Sequence, residues 1–335
     1  MDEKILTISI AAYNVEKYIG KTLESLVSAK NIDKLEIFVI DDGGQDRTLE
    51  IAKEYQERFP QSVIPVHKEN GGYGSTVNYS MEHATGKYFK LLDGDDWFDT
   101  QALDTFLEKI ETISSDVLIT PYNRCVEGAG VKTISYGDMF QPGEHQLNEL
   151  YLNRPIGMWA MAYRTEVLKK SKLVLPEKIF YTDIYYSTMP FSEVDTIQFL
   201  DLPLYQYRIG RDGQSVSKES RIKNMAMMVS ICKDIIQFVS NQKNNNNIAY
   251  LNMRALTIYN GTIKTFMLLP INRKNATALK EFDDSIKELS PDLYHLFVKH
   301  PTVKKVGFFI NMCRKTNYFI YPIIKLIYPN GIPTF

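Results

Sequence analysis

Along the first ~120 residues, short apolar runs alternate with stretches whose apolar positions recur every three or four residues. The runs Ile5–Ile10, Leu35–Ile40, Val63–His67, Tyr88–Leu92 and Val117–Thr120 have the length and content of buried strands. Between them, Val15–Ala29 places Ile19, Leu23, Leu26 and Val27 on one helical face. Arg47–Phe59 is helical and is closed by Pro60. Gly74–Ala84 is helical with Gly86 just past its end, and Gln101–Ile113 is a further helix. This βαβα order predicts an α/β fold with a doubly wound, mostly parallel sheet.

From about residue 125 to 215 the pattern is irregular. After Ser217 it becomes all-helical, with helices expected over Glu219–Ser240, Ile248–Leu268 and Ala276–Leu289 and shorter pieces beyond. Two regions are expected: a catalytic domain over residues 1–216 and a helical C-terminal extension over 217–335. No internal repeat is visible, and Asn244–Asn247 reads as a polar linker.

The 335 residues, 44% hydrophobic and 12% aromatic, are enough for a sizeable core. A formal net charge of −1 argues against nucleic acid as a partner by bulk electrostatics. Cys125, Cys232 and Cys313 are too far apart for a zinc pattern and odd in number for a disulfide framework, which fits a reducing compartment. Met1–Lys4 leads straight into a strand with no basic and apolar leader, and no apolar run reaches the ~20 residues of a membrane span.

The C-terminal tail changes that picture. After Asp292 no acidic residue occurs. Lys299, Lys304, Lys305, Arg314, Lys315 and Lys325 alternate there with aromatic and aliphatic residues such as Phe308, Phe309, Tyr318, Phe319, Tyr321 and Tyr328. Basic and aromatic character together predict peripheral contact with an anionic membrane surface. Packing onto the core with a solvated basic face is the alternative.

Candidate chemistry collects at the predicted strand ends. Leu92-Asp93-Gly94-Asp95-Asp96 sets three carboxylates within four positions behind a buried strand. Like charges so close repel unless a cation lies between them, and an oxygen-only set suits Mg2+ or Mn2+. A solvated acidic turn ending in a helix N-cap is the plain alternative. Ala11-Ala12-Tyr13 offers small residues for close approach and a ring able to stack on a planar base. Asp41-Asp42 follows the second strand and can accept hydrogen bonds from a base or ribose, whereas Asp46 reads as a helix N-cap. Asn70-Gly71-Gly72-Tyr73-Gly74-Ser75 has the glycine content of a phosphate loop but neither the dinucleotide nor the Walker spacing. The five histidines form no spaced metal pair.

Taken in order, Ala12-Tyr13-Asn14, Val39-Ile40-Asp41-Asp42-Gly43, Asn78, Ala84-Thr85-Gly86-Lys87-Tyr88 and Leu92-Asp93-Gly94-Asp95-Asp96 resemble a family 2 glycosyltransferase of GT-A fold, of the bacterial polysaccharide-building type. The resemblance implies transfer of a sugar, with inversion, from a nucleoside-diphosphate sugar, usually a UDP-sugar. It maps the family's DXD motif onto Asp93-Gly94-Asp95, with Asp95 on the metal and Asp93 on the metal or the donor ribose. Tyr13 and Asp41 or Asp42 would hold the base, with Ala12, Asn70 and Asn78 also on the donor side. Gly157-Met158-Trp159 and Tyr163-Arg164 resemble the acceptor-side segment, so Trp159 and Asp96 are expected to face the acceptor. Phe180-Tyr181-Thr182-Asp183 resembles the segment bearing the catalytic base; Thr182 replaces the usual Glu, leaving Asp183 for that role. The plain alternative for Asp183 is a helix N-cap. Tyr205-Gln206-Tyr207-Arg208-Ile209-Gly210-Arg211 resembles a further segment of such enzymes. Arg208 and Arg211 are candidate pyrophosphate contacts, since guanidinium matches phosphate geometry, and structural ion pairs are the alternative for both. Gly44 departs from the Ser of many members.

By that resemblance the acceptor is a saccharide, lipid-linked given the tail, in cell-surface polysaccharide synthesis. The expected location is cytoplasmic, at the inner face of the plasma membrane. Two other classes compete. A sugar-1-phosphate nucleotidyltransferase would need a Gly-rich, basic loop after the first strand, where this chain has Ala11–Glu16. A nucleotide-sugar-binding protein with a dead site is opposed by the intact acidic cluster and Asp183.

Overall fold

The computed structural model describes residues 3–210, 218–270, 272–299 and 304–321. The chain divides into two compact units, Met1–Arg211 and Asp212–Phe335.

The first unit is built on an eight-stranded sheet. Its strands are β1 (Leu6–Ala12), β2 (Leu35–Asp42), β3 (Val63–Lys68), β4 (Tyr88–Asp93), β6 (Val117–Ile119), β9 (Gly143–Gln146), β10 (Met161–Arg164) and β11 (Thr196–Phe199), in the order β3-β2-β1-β4-β10-β6-β11-β9. The pairs β3–β2, β2–β1, β1–β4 and β6–β11 are parallel. Every residue of β2 is buried, as expected of a central parallel strand covered on both faces. Helices α1 (Glu16–Val27), α2 (Thr48–Arg58), α3 (Tyr73–His83) and α4 (Thr100–Ile110) supply the crossovers. α1 buries Ile19, Leu23, Leu26 and Val27, the stripe read from its spacing.

A second sheet holds β5 (Trp97–Phe98), β7 (Tyr122–Val126), β8 (Gly130–Ile134) and β12 (Tyr205–Ile209), in the order β5-β12-β7-β8. It brings the 205–209 segment beside the residues that follow β4. Two short helices, α5 (Thr165–Ser171) and α6 (Asp183–Tyr186), complete the described α-helices of the unit.

Three local readings change. β10 lies antiparallel between β4 and β6, inside the stretch that shows no clear pattern. Four residues, Met-Ala-Tyr-Arg, are too few to display a period. Gly86 is not a left-handed helix cap: α3 ends at His83, and a Cβ on Gly86 would stand 2.6 Å from the Thr7 amide nitrogen of β1. The glycine serves strand approach. The cap of α4 is Asp99, which accepts from the Ala102 amide at 2.9 Å, so the acidic cluster is not a helix N-cap.

The second unit is helical: α7 (Lys218–Lys223), α8 (Met225–Ser240), α9 (Ile248–Phe266), α10 (Arg273–Leu289), α11 (Pro291–Lys299) and α12 (Lys304–Lys315). The single helix expected over Glu219–Ser240 breaks at Asn224 into α7 and α8. Its core includes Ile231, Ile235, Leu251, Ile263, Leu279 and Phe297. The tail contributes to that core, since Phe309, Ile310, Cys313, Tyr318 and Tyr321 are buried, while Phe308, Lys315 and Phe319 are exposed. Asp283 organises the packing. It accepts from Tyr294 at 2.9 Å, from Arg314 Nε and Nη2 at 2.8 Å each, and from Tyr259 and Tyr318. Burial pushes its carboxyl upward, but Arg314 and the tyrosines outweigh that and hold it below the usual range. Arg314 is therefore a core ion-pair partner. Among the described residues no helix is long and apolar enough to cross a membrane. Lys325 and Tyr328 lie outside the described residues.

Candidate active site

The register of the parallel strands sets the site. Ala12 lies opposite Asp41 of β2, and Ala11 lies opposite Asp93 of β4. Two strand-end carboxylates thus flank a strand ending in alanines, where the strand order reverses. Open α/β sheets take ligands in that crevice. Ala12 is buried and Tyr13 is 53% exposed beside it.

The turn after β4 is tightly held. The Gly94 amide donates to the Ala11 carbonyl at 3.2 Å, and a Cβ on Gly94 would meet that same oxygen at 2.9 Å. Gly94 is needed for this approach. Thr22 of α1 donates to the carbonyls of Gly94 and Asp96 at 3.1 and 2.6 Å. The Asp96 side chain turns inward, accepting from the Tyr205 hydroxyl at 2.6 Å and the Arg208 amide at 2.7 Å. Burial first, then the neighbouring Asp93 and Asp95 charges, push its carboxyl well above the usual range despite those bonds. Asp96 therefore ties β12 to the cluster.

Asp41 and Asp42 have different surroundings. Asp41 accepts from the Gly44 amide at 3.2 Å and pairs with His67 Nδ1 at 2.6 Å. A Cβ on Gly44 would overlap Asp41 Oδ1. Asp42 points into the 70–75 loop. It accepts from the Gly71 amide at 2.9 Å, the Gly72 amide at 2.7 Å, Lys68 Nζ at 3.1 Å and Ser75 Oγ at 3.3 Å. Asn70 Nδ2 donates to the Asp42 carbonyl at 2.8 Å. Asn78 pairs with the Leu175 backbone in both directions, at 2.9 and 2.8 Å. Asp41, Asp42, Asn70 and Asn78 thus all engage protein groups, Asp41 through Gly44 and His67 and Asp42 through the 70–75 loop, while Tyr13 is exposed beside Ala12.

Asp183 begins α6, whose N-cap position is Thr182, so Asp183 is in the first turn and not the cap. Tyr73 is the first residue of α3, and its hydroxyl lies 3.7 Å from Met158 Sδ. Burial, the hydrogen bond and charge of Asp93, and the charge of Asp183 together push the Tyr73 hydroxyl well above its ordinary value. Trp159 stacks on Tyr207 with ring centroids 4.6 Å apart and lies 5.3 Å from Tyr122. Arg208 Nε donates to the Asp95 carbonyl at 2.9 Å, and its guanidinium lies 5.0 Å from the rings of both Tyr18 and Trp97. Lys21 Nζ sits 3.3 Å from the Trp97 ring centroid. Arg211 is outside the described residues.

Four residues escape the sequence reading: Tyr73, His67, Tyr205 and Lys90. Lys90 had a signal, a lysine in the otherwise apolar run Tyr88–Leu92. It is buried, donates to the carbonyls of Trp159 and Met161 at 2.9 and 3.0 Å, and is driven by burial down to about 7. It ties β4 to the Trp159 segment. Tyr205 lies in a quoted motif, but its role depends on a partner 109 residues away.

The described residues contain no group of three or more ligating side chains that would cage a metal. Mg2+ and Mn2+ sites at phosphates need fewer, because one or two carboxylates are completed by substrate oxygens and water. With Asp96 turned inward, Asp93 and Asp95 are a donor set of that kind.

Residues 7–171 match the family model described as glycosyl transferase family 2. EpsH of Bacillus subtilis, which bears the name of a glycosyltransferase, is 29% identical over 219 residues, 62% of each chain. TarS of Staphylococcus aureus, a poly(ribitol-phosphate) beta-N-acetylglucosaminyltransferase, is 28% identical over 216 residues, covering 63% of this chain and 36% of TarS. The crystal structure of S. aureus TarS 1-349 in complex with UDP-GlcNAc superposes with a TM-score of 0.66 at 20% identity, over 94% of this chain and 92% of that one. The chain belongs to glycosyltransferase family 2, and its first unit has the GT-A fold.

Proposed function

We propose that this enzyme transfers a sugar from a UDP-sugar to a hydroxyl of a saccharide acceptor, with inversion at the anomeric carbon. One observation carries the reading: Asp41 and Asp93 end the two strands that flank Ala11-Ala12, at the crevice where open α/β sheets take ligands. The charges of Asp93 and Asp183 both act on the Tyr73 hydroxyl, which supports reading Asp183 as the base of that same crevice. Support for the donor comes from TarS, whose structures hold UDP-GlcNAc and UDP.

Asp41 would accept hydrogen bonds from the base, and Tyr13 would stack on it. Asp93 and Asp95 would hold Mg2+ or Mn2+ against the donor diphosphate. When bound, the ion neutralises charge on the departing nucleoside diphosphate. Asp183 accepts the proton of the acceptor hydroxyl. The freed oxygen attacks the anomeric carbon from the face opposite the diphosphate, the new C–O bond forms, and the bond to the diphosphate oxygen breaks. Trp159 and Tyr207 would border the acceptor, and Arg208 would approach the diphosphate.

A lipid-linked acceptor and contact with the inner face of the plasma membrane, in cell-surface polysaccharide synthesis, extend the same reading. Their support among the described residues is the exposed Lys299, Phe308, Lys315 and Phe319.

Calorimetric titration of UDP with Mn2+ and with EDTA tests the donor site. Asp95→Ala is expected to abolish the metal-dependent part of the affinity. Equal affinity in the variant, with and without EDTA, would contradict it.

A further inference from the structure

A glycine-rich turn between strand and helix suits close approach of a ligand, because a backbone without Cβ leaves room. In this chain protein fills the room. A Cβ on Gly74 would overlap the Pro176 carbonyl oxygen, and one on Gly72 would stand 3.0 Å from the Lys178 amide nitrogen. The Lys178 amide donates to the Gly71 carbonyl at 2.6 Å. About one helical turn further, Asn78 acts as a surrogate peptide group: its Nδ2 donates to the Leu175 carbonyl and its Oδ1 accepts from the Leu175 amide. The segment 175–178 is thereby fastened along the first turns of α3.

The backbone beyond this fastening is constrained. Lys178 and Tyr181 have φ of 57° and 64°. Such left-handed residues cost about 1 kcal/mol or more each and persist where the surroundings fix them. Asp183 follows two residues later.

We infer that Gly72, Gly74 and Asn78 are positioning residues for Asp183. They clamp the 175–178 segment to α3 so that the first turn of α6 presents its carboxylate to the Asp93–Asp95 edge. None of the three touches the reacting atoms. This inference rests on the base role proposed for Asp183.

The test compares wild type with Gly74→Ala, Asn78→Leu and the milder Asn78→Asp, which keeps only the acceptor half of the pairing. UDP release is followed from a UDP-sugar that the wild-type enzyme turns over. A displaced base lowers kcat by about 10- to 100-fold, while KM for the donor stays within about two-fold. Amide exchange across 175–183 speeds up, and exchange in β1, β2 and β4 does not. Wild-type kcat in the folded variants overturns the inference, as does a parallel loss of donor affinity and kcat. Asp183→Asn separates the two levels. Loss of release in Asp183→Asn with normal kcat in the clamp variants defeats only the clamp, whereas near-normal release in Asp183→Asn defeats the base assignment itself.

Discussion

The Tyr205 hydroxyl donates to Asp96 Oδ2 at 2.6 Å and accepts from the Asp93 amide at 3.1 Å. One phenol thus braces the turn that carries the candidate metal carboxylates. Tyr205→Phe keeps the ring against Phe98, 5.7 Å away, and removes only the oxygen. Asp96 then lacks a buried donor, which costs about 1–3 kcal/mol. The urea midpoint of the first unit is expected to fall by that free energy divided by m, with the slope m unchanged.

Lys90 sets a pH dependence. In the folded chain its ammonium titrates near 7, whereas an unfolded lysine titrates near 10.5. Between those values the unfolded chain holds a proton that the folded chain has released, so stability rises with pH. The slope from this one group is at most about 1.4 kcal/mol per pH unit. Below about 7 both forms are protonated and the contribution flattens. Lys90→Met should remove the rise between pH 7 and 9 in chemical denaturation curves. A rise of unchanged steepness in the variant would mean that another group causes it.

The two adjacent aspartates should separate by phenotype. Asp42→Asn replaces an acceptor of two backbone amides and Lys68 by an amide whose NH2 faces donors. A loss of about 1–3 kcal/mol is expected, with UDP affinity changed less than in Asp41→Asn. Thermal unfolding and UDP titration of the pair measure both effects. Equal loss of UDP affinity in the two variants would contradict the assignment of Asp41 alone to the base.

In the helical unit, Asp283→Ala leaves Arg314 buried without its counter-charge and removes the acceptor of three tyrosines. Breaking one partner of a buried pair costs about 3–5 kcal/mol. Hydrogen exchange should show the 308–321 segment opening first.

The sequence exposes the sheet well as far as Leu92, because β1, β2 and β4 are mostly apolar runs of strand length and α1 and α4 keep a helical period. It does not expose β10, β5 or β12, which are two to five residues long and depend on partners far along the chain. The candidate site is legible as a set of residue types, and its division of labour is not. Nothing in the letters distinguishes Asp41, held by Gly44 and His67, from Asp42, held by the Gly71 and Gly72 amides. Asp96 looks like a third ligand until Tyr205 and the Arg208 amide are seen to hold it. The glycines of 71–74 look like a phosphate loop because the filling partner, Leu175–Lys178, lies about 100 residues on. The basic aromatic tail looks uniform, yet Arg314 and Tyr318 belong to a buried cluster and Phe308 and Phe319 do not.

The most direct measurement is UDP release from a panel of UDP-sugars by the wild-type chain and by Asp183→Asn, each with Mn2+ and with EDTA, and with UDP affinity measured alongside. The account predicts release from one donor by wild type with Mn2+, its disappearance with EDTA, and no release by Asp183→Asn at undiminished UDP affinity. Release by Asp183→Asn at the wild-type rate, or release by wild type that ignores EDTA, would contradict it.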